Sequence, residues 1–253
     1  MSKTQFTGGQ LIELNETPST NSLAMDLLEG NPPEGTVIWA RYQSAGRGQK
    51  GNSWQVSPGQ NLTFSLIYFP RFLLNREIFS LSKMVSVALY EALQIHFPSE
   101  EVKIKWPNDI LINKQKVAGI LIENQFEGSR LKGTVIGVGL NVNQLNFPDA
   151  LKGRATSMQL VSGNTYDVQE LLWEILTRLE AHYLRLRGGQ KAALDRQYYD
   201  CLYGYQEVVA LEVDGEIGDW MIVGVETSGR LAATQGKKIR YFNFKEVKFV
   251  FSD

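Results

Sequence analysis

Three segments of this 253-residue chain combine residue types that suit chemistry on anions. The first is Ala45-Gly46-Arg47-Gly48-Gln49-Lys50-Gly51-Asn52-Ser53-Trp54. Its glycines let backbone N–H groups approach a phosphate or carboxylate, and Arg47 and Lys50 add positive charge. The spacing matches a dinucleotide-binding glycine pattern, but the context does not. Ser57-Pro58-Gly59 leaves no room for the helix that pattern opens, and no acidic residue stands between 66 and 72 to hold a ribose. A phosphate loop fails too, because Asn52 stands where its lysine belongs. An anion-binding loop and a solvated basic loop both remain open. The second segment is Lys103-Ile104-Lys105-Trp106-Pro107-Asn108-Asp109. Pro107 ends a strand in which Lys103 and Lys105 share one face. A lysine beside such a turn suits a phosphate as a point charge. The alternative is an edge strand with solvated lysines. Asn108 and Asp109 are ordinary turn residues, and a carboxylate at 109 is also a candidate for a magnesium–nucleotide complex. The third is the pair Val117–Asn124 and Gly137–Asn143. A period of two puts Gly137, Gly139, Asn141 and Asn143 on one face. That face, with Gly119, is either a bulged core strand or a pocket wall that admits a flat ligand.

The elements that must position these residues are legible from periodicity. Residues 19–29 read as a helix capped by Ser19, Thr20 or Asn21 and stopped by Gly30 and Pro32-Pro33. Residues 36–42, 61–69, 102–106, 109–112, 117–123 and 133–142 read as strands, the last probing deepest into the apolar scale and therefore central. Helical spacing covers 78–96, then 167–187 behind an Asp167-x-x-Glu170 capping signal, then 190–202. After 203 the texture changes to about five short strands with turns at Asp214-Gly215, Ser228-Gly229 and Gln235-Gly236. The expected architecture is α+β: a mixed, largely antiparallel sheet with helices over residues 1–203, then a small β-barrel over 204–253.

Composition narrows the function. Lys+Arg is 26 against Asp+Glu 27, a balance that argues against bulk attraction to nucleic acid or anionic lipid. One cysteine, Cys201, forbids an internal disulfide, and with only His96 and His182 a Cys/His zinc cluster is excluded. No apolar run of about 18 residues spans a membrane and no signal core opens the chain, so a cytoplasmic location is expected.

Taken in order, Ser19-Thr20-Asn21, Gln43 with Gly46–Gly51, Lys105–Asp109, Val117–Glu123, Gly137–Asn143 and Ala155-Thr156-Ser157 resemble the biotin–protein ligases. These enzymes adenylate biotin with ATP and transfer it to a carrier-protein lysine. The resemblance covers about 140 residues, and the tail is similar to the family's small SH3-like domain. It implies that Ser19, Thr20, Asn21 and Gln43 contact biotin, and that Arg47, Gly48 and Gln49 close over it. It implies that Lys105 meets the biotin carboxylate and the phosphate. It assigns Gly46, Arg47, Lys50, Gly51, Trp54, Asn108, Asp109, Gly119 and Asn141 to ATP and adenylate, with Lys105 and Arg47 as the catalytic charges. Mg2+ is the implied cofactor, its ligands unspecified. A biotin carboxyl carrier protein is the implied partner, with the ligase a monomer or homodimer.

Two departures stand out. The family loop commonly carries arginine where this chain has Gln49, which implies weaker retention of the adenylate. Only 18 residues precede Ser19, too few for the helix-turn-helix domain of the repressor members, so no DNA binding is expected. Three glycines also predict mobility of residues 46–54 without ligand. Rival expectations are a lipoate or octanoate ligase or transferase of the same architecture, and a non-enzymatic binder of nucleic acid or ligand using Arg47, Lys50 and the basic aromatic tail.

Overall fold

The computed structural model describes residues 4–54, 57–98 and 102–251, with the Lys50 side chain outside that set. Strand β1 (Leu11–Thr17) leads to helix α1 (Thr20–Leu28), then β2 (Val37–Gln43) and β3 (Leu62–Tyr68). Helix α2 (Phe79–Gln94) precedes β4 (Val102–Lys105), β5 (Asp109–Ile112), β6 (Gln115–Glu127) and β7 (Arg130–Leu140). Helices α3 (Met158–Ser162), α4 (Val168–Arg187) and α5 (Lys191–Cys201) follow. Strands β8 (Val208–Val213), β9 (Glu216–Val225), β10 (Leu231–Gln235), β11 (Lys238–Phe242) and β12 (Val247–Phe249) complete the chain.

The first seven strands form one sheet in the order β1-β2-β3-β7-β6-β5-β4. Only β1 and β2 pair in parallel; every other neighbour is antiparallel. The glycine-rich β7 lies at the centre, as its apolar run predicts. Alternation gives each strand two buried faces. Val37, Trp39, Phe64, Leu66, Ile136 and Val138 point into the large core with α2 and α4. Ile38, Ile67 and Val135 point the other way and pack on Ala24 and Leu28 of α1. Helix α4 presents Leu172, Ile175, Leu176 and Leu179 at helical spacing, and its N-cap Asp167 accepts the N–H groups of Gln169 and Glu170. Truncating a wholly buried member such as Leu179 to Ala costs about 2–5 kcal/mol. α1 is short, so it leaves the sheet face over β5, β6 and the end of β7 uncovered. The chemistry-bearing residues gather on that uncovered face.

The last five strands form a second sheet, all antiparallel, in the order β11-β10-β9-β8-β12. The expected boundary at 203/204 falls between Leu202, which bridges Ile104, and Tyr205, which bridges Ile222. This sheet docks on the turn after β4: the Trp106 indole N–H donates to the Gly229 carbonyl at 2.9 Å, and the Trp106 ring meets Phe244 edge-on.

Two elements, β1 and α3, lie outside the expected set. β1 mixes Leu11, Ile12 and Leu14 with Glu13, Asn15 and Glu16, a pattern too polar for a strand signal, and its place at the sheet edge explains that polarity. α3 is only five residues, held by its N-cap Ser157, whose hydroxyl accepts the Leu160 N–H. β6 and β7 also run beyond the expected 117–123 and start before 133, because they continue as one hairpin turned at Gly128, φ +59°.

Candidate active site

One end of the exposed face is neutral and closely hydrogen-bonded. Ser19 caps α1 and puts Thr20 and Asn21 in its first turn, against the end of β2. Gln43 Oε1 accepts from the Thr20 backbone N–H at 2.7 Å and from its hydroxyl at 3.0 Å. Ser65 Oγ on β3 lies 2.8 Å from Thr20 Oγ1 and 2.6 Å from Asn21 Oδ1. Asn21 Nδ2 donates to the Leu121 carbonyl and to Glu123 Oε2, at 3.2 and 2.9 Å. All four of Thr20, Asn21, Gln43 and Ser65 are buried. Gly137 makes room for this arrangement: a Cβ there would overlap the Asn21 carboxamide.

The other end is charged. Asp109, the first residue of β5, is buried between two lysines. Lys105 Nζ stands 2.8 Å from one carboxylate oxygen and Lys116 Nζ 2.6 Å from the other. Burial on its own would raise the Asp109 carboxyl, but the Lys116 and Lys105 charges outweigh it and hold the group below its ordinary value. A β-bulge brings Lys116 here. Ile110 opposes Ala118 and Leu111 opposes Lys116, so Val117 has no partner and the strand's alternation slips by one. Lys116 therefore reaches the same cavity as Gly119, three residues on. Asn108 donates to the Ile120 carbonyl at 2.7 Å and fixes the turn beside them.

The glycine-rich loop spans the two ends. Its backbone closes on itself: Gly48 N–H donates to Asn52 O at 2.7 Å and Trp54 N–H to Gly46 O at 2.9 Å. Gly46 carries no Cβ because one would overlap the Trp54 carbonyl, and Gly51 takes φ +86° in the return. Arg47 reaches back to the neutral end, pairing with Glu123 at 2.7 Å and donating to the Ser22 hydroxyl at 3.3 Å. Trp54 lies on the sheet. A Cβ at Gly139 would overlap its indole, and one at Gly119 would stand 3.2 Å from it. The glycines do admit a flat group, and here that group is the chain's own tryptophan. Among the described residues, the buried indole N–H of Trp54 has no hydrogen-bond partner.

These groups enclose a cavity of about 1200 Å³. Of the residues singled out in the sequence, Ser19, Thr20, Asn21, Gln43, Arg47, Gly48, Gln49, Trp54, Lys105, Asn108, Asp109 and Gly119 line it. Gly46 and Gly51 shape the loop from behind, and the Lys50 side chain lies outside the described residues. Asn141 stands apart: its carboxamide donates to the Thr156 carbonyl at 3.0 Å, fastening the Ala155–Ser157 segment beside β6. Three contributors, Ser65, Glu123 and Lys116, lie outside the expected set. Ser65 gives no signal in an apolar strand. Glu123 does share its alternation with Gly119 and Leu121. Lys116 was hidden by the bulge.

The fold and this site fit the biotin/lipoate protein ligase class. A scan against protein families matches the biotin/lipoate A/B protein ligase family over residues 13–141, and the chain belongs to that family. It is 38% identical over 183 residues to the bifunctional ligase/repressor BirA of Bacillus spizizenii, covering 72% of this chain and 56% of that protein. The chain thus spans about half the length of that relative. It is 36% identical over 163 residues to the biotin–[acetyl-CoA-carboxylase] ligase of Paracoccus denitrificans, covering 63% of this chain and 67% of that one. Among solved structures, the biotin protein ligase of Aquifex aeolicus in complex with biotin and ATP superposes with a TM-score of 0.78 at 27% identity, covering 96% of this chain and 99% of its own.

Proposed function

We propose that the chain is a biotin–protein ligase: it makes biotinyl-5′-AMP from biotin and ATP and transfers biotin to a lysine of a biotin carboxyl carrier protein. The observation that carries this reading is one cavity with a buried neutral network at one end and two lysines around Asp109 at the other. A neutral ring system with amide edges suits Ser19, Thr20, Asn21 and Gln43. The carboxylate and phosphates suit Lys105, Lys116 and Arg47.

In the first step a biotin carboxylate oxygen bonds to the α-phosphorus, and the α–β bridging bond breaks with its electron pair leaving on pyrophosphate. Both reactants are anions, so catalysis is positioning and charge stabilisation, with no covalent enzyme intermediate. Asp109 spaces Lys105 and Lys116 and keeps them from repelling each other. In the second step the neutral amine of the carrier lysine attacks the acyl carbon, AMP leaves on its phosphate oxygen, and the ammonium proton goes to solvent. The loop carrying Arg47, Gly48, Gln49 and Lys50 excludes water from the mixed anhydride. For magnesium the described residues build no cage: no group of three or more His, Cys, Asp or Glu side chains is present among them, and both Asp109 oxygens are engaged. Mg2+ is proposed to arrive on the nucleotide's own phosphate oxygens.

The supporting domain division is 1–203 and 204–253, and the setting is cytoplasmic, as a monomer or homodimer. No described helix is long and apolar enough to cross a membrane. ATP–pyrophosphate exchange with biotin, lipoate and octanoate tests the reading. Exchange with biotin alone is expected; exchange with lipoate or octanoate instead would change the substrate, and none with any acid would remove the adenylating step.

A further inference from the structure

The inner cations of the cavity are already compensated. Lys105 and Lys116 share Asp109, and Arg47 pairs with Glu123. Lys248, on the second sheet, pairs with Glu212 at 3.0 Å. Three further cations line the same cavity, Lys114, Arg154 and Lys245, and among the described residues Lys114 and Arg154 have no carboxylate partner. The fold brings Lys114 and Arg154 to one rim. Lys116 N–H donates to the Arg154 carbonyl at 2.9 Å, and Lys116 and Ala155 form a parallel bridge. That bridge lays residues 153–155 alongside 114–116.

Lys114 also sits where a lysine is a poor local choice. Asn113 and Lys114 form the two-residue turn between β5 and β6, with φ of +50° and +63°. Glycine is favoured at the second position of such a turn, since an L side chain there strains the backbone. A long cation at a strained position on a cavity wall points to use of its charge.

Resting on the ATP-dependent reading above, we propose that Lys114 and Arg154 form an outer anion station that binds the β- and γ-phosphates of ATP and holds pyrophosphate as it leaves. ATP brings several negative charges and biotin one more, and the compensated inner cations cannot balance them. When the α–β bridging bond breaks, its electron pair adds negative charge to the leaving oxygen, beside this rim. AMP and biotinyl-5′-AMP lack the β- and γ-phosphates and bind without the station.

Lys114→Gly and Arg154→Gln test it; the glycine also relieves the turn, so the first variant is expected to fold at least as well as the parent. Calorimetry with inorganic pyrophosphate, and separately with AMP, reads the station without requiring turnover. Each variant is expected to weaken pyrophosphate about tenfold or more, as loss of one charged hydrogen-bonding group does, while AMP and biotin affinities stay within about twofold. Raised KM for ATP with unchanged KM for biotin should accompany it. Unchanged pyrophosphate affinity in the double variant, equal loss for pyrophosphate and AMP, or no pyrophosphate binding by the parent protein would each overturn the station. Failure of the parent reading shows differently, as pyrophosphate binding intact in a protein with no acid-dependent exchange.

Discussion

The two ends of the cavity solve recognition in opposite ways. At the α1 end, Thr20, Asn21, Gln43 and Ser65 are uncharged, buried and hydrogen-bonded to one another. At the β4–β5 end, Lys105 and Lys116 are partly exposed and held by a single buried carboxylate. Buried polar groups discriminate by the cost of leaving one unpaired, so the neutral end is suited to choosing a substrate. Fixed charges act on whatever anion develops nearby, so the charged end is suited to accelerating a reaction. Glu123 ties the neutral end to the glycine-rich loop, accepting from Asn21 with one oxygen and from Arg47 with the other.

The largest expected effect lies at the charged end. Lys116→Ala should lower biotin-dependent exchange by about 10²–10³-fold, the scale of removing one oriented charge from a reacting phosphate, with biotin affinity nearly unchanged. Quench-flow measurement of adenylate formation checks it, and a loss of biotin binding instead would merge the two ends into one. Next is Gly137→Ala. Its Cβ displaces the Asn21 carboxamide and leaves buried partners unsatisfied, which costs about 1–3 kcal/mol in biotin binding or in stability. Calorimetry and thermal melts separate the two.

Asp109→Asn probes the coupling by pH. The native carboxyl is held below its ordinary value, so its stabilising share is full above the ordinary carboxylate range and is lost as pH falls through the folded-state value. The parent should therefore lose stability on acidification below about pH 4, and the Asn variant should show a flatter acid limb in chemical denaturation. A parallel acid limb in both would mean that other carboxylates carry it. The smallest effect is expected for Gln49→Arg. One added, largely solvated charge should slow adenylate release by a few-fold at most, read by single-turnover trapping. Cleavage after Arg47 and Lys50 by trypsin should fall when biotin and ATP are both present, if the loop tightens over them.

Local pattern revealed most of the framework. Helical spacing located α1, α2, α4 and α5 within a residue or two, and β-branched runs located β2 to β5. Non-local pairing accounts for what it missed. β1 is a strand because β2 lies beside it, and its own residues carry no alternation strong enough to say so. The role of Gly139 was readable as a close approach, but the Trp54 indole that fills the space comes from 85 positions upstream. Lys116 shows the sharpest failure. Strict alternation puts it opposite Gly119, and only the bulge at Val117 turns it into the site. Bulges are set by the partner strand's register, which a single strand's sequence does not contain. The docking of Trp106 onto Gly229 has the same origin, since it joins residues 123 positions apart.

The most direct single experiment measures biotin and ATP dissociation constants separately for the parent, Gly137→Ala and Lys116→Ala. If one end selects and the other activates, Gly137→Ala weakens biotin by about tenfold and leaves ATP alone, while Lys116→Ala weakens ATP or slows chemistry and leaves biotin alone. Equal weakening of both ligands by both variants would show one undivided site, and the division of labour drawn from these hydrogen bonds would be wrong.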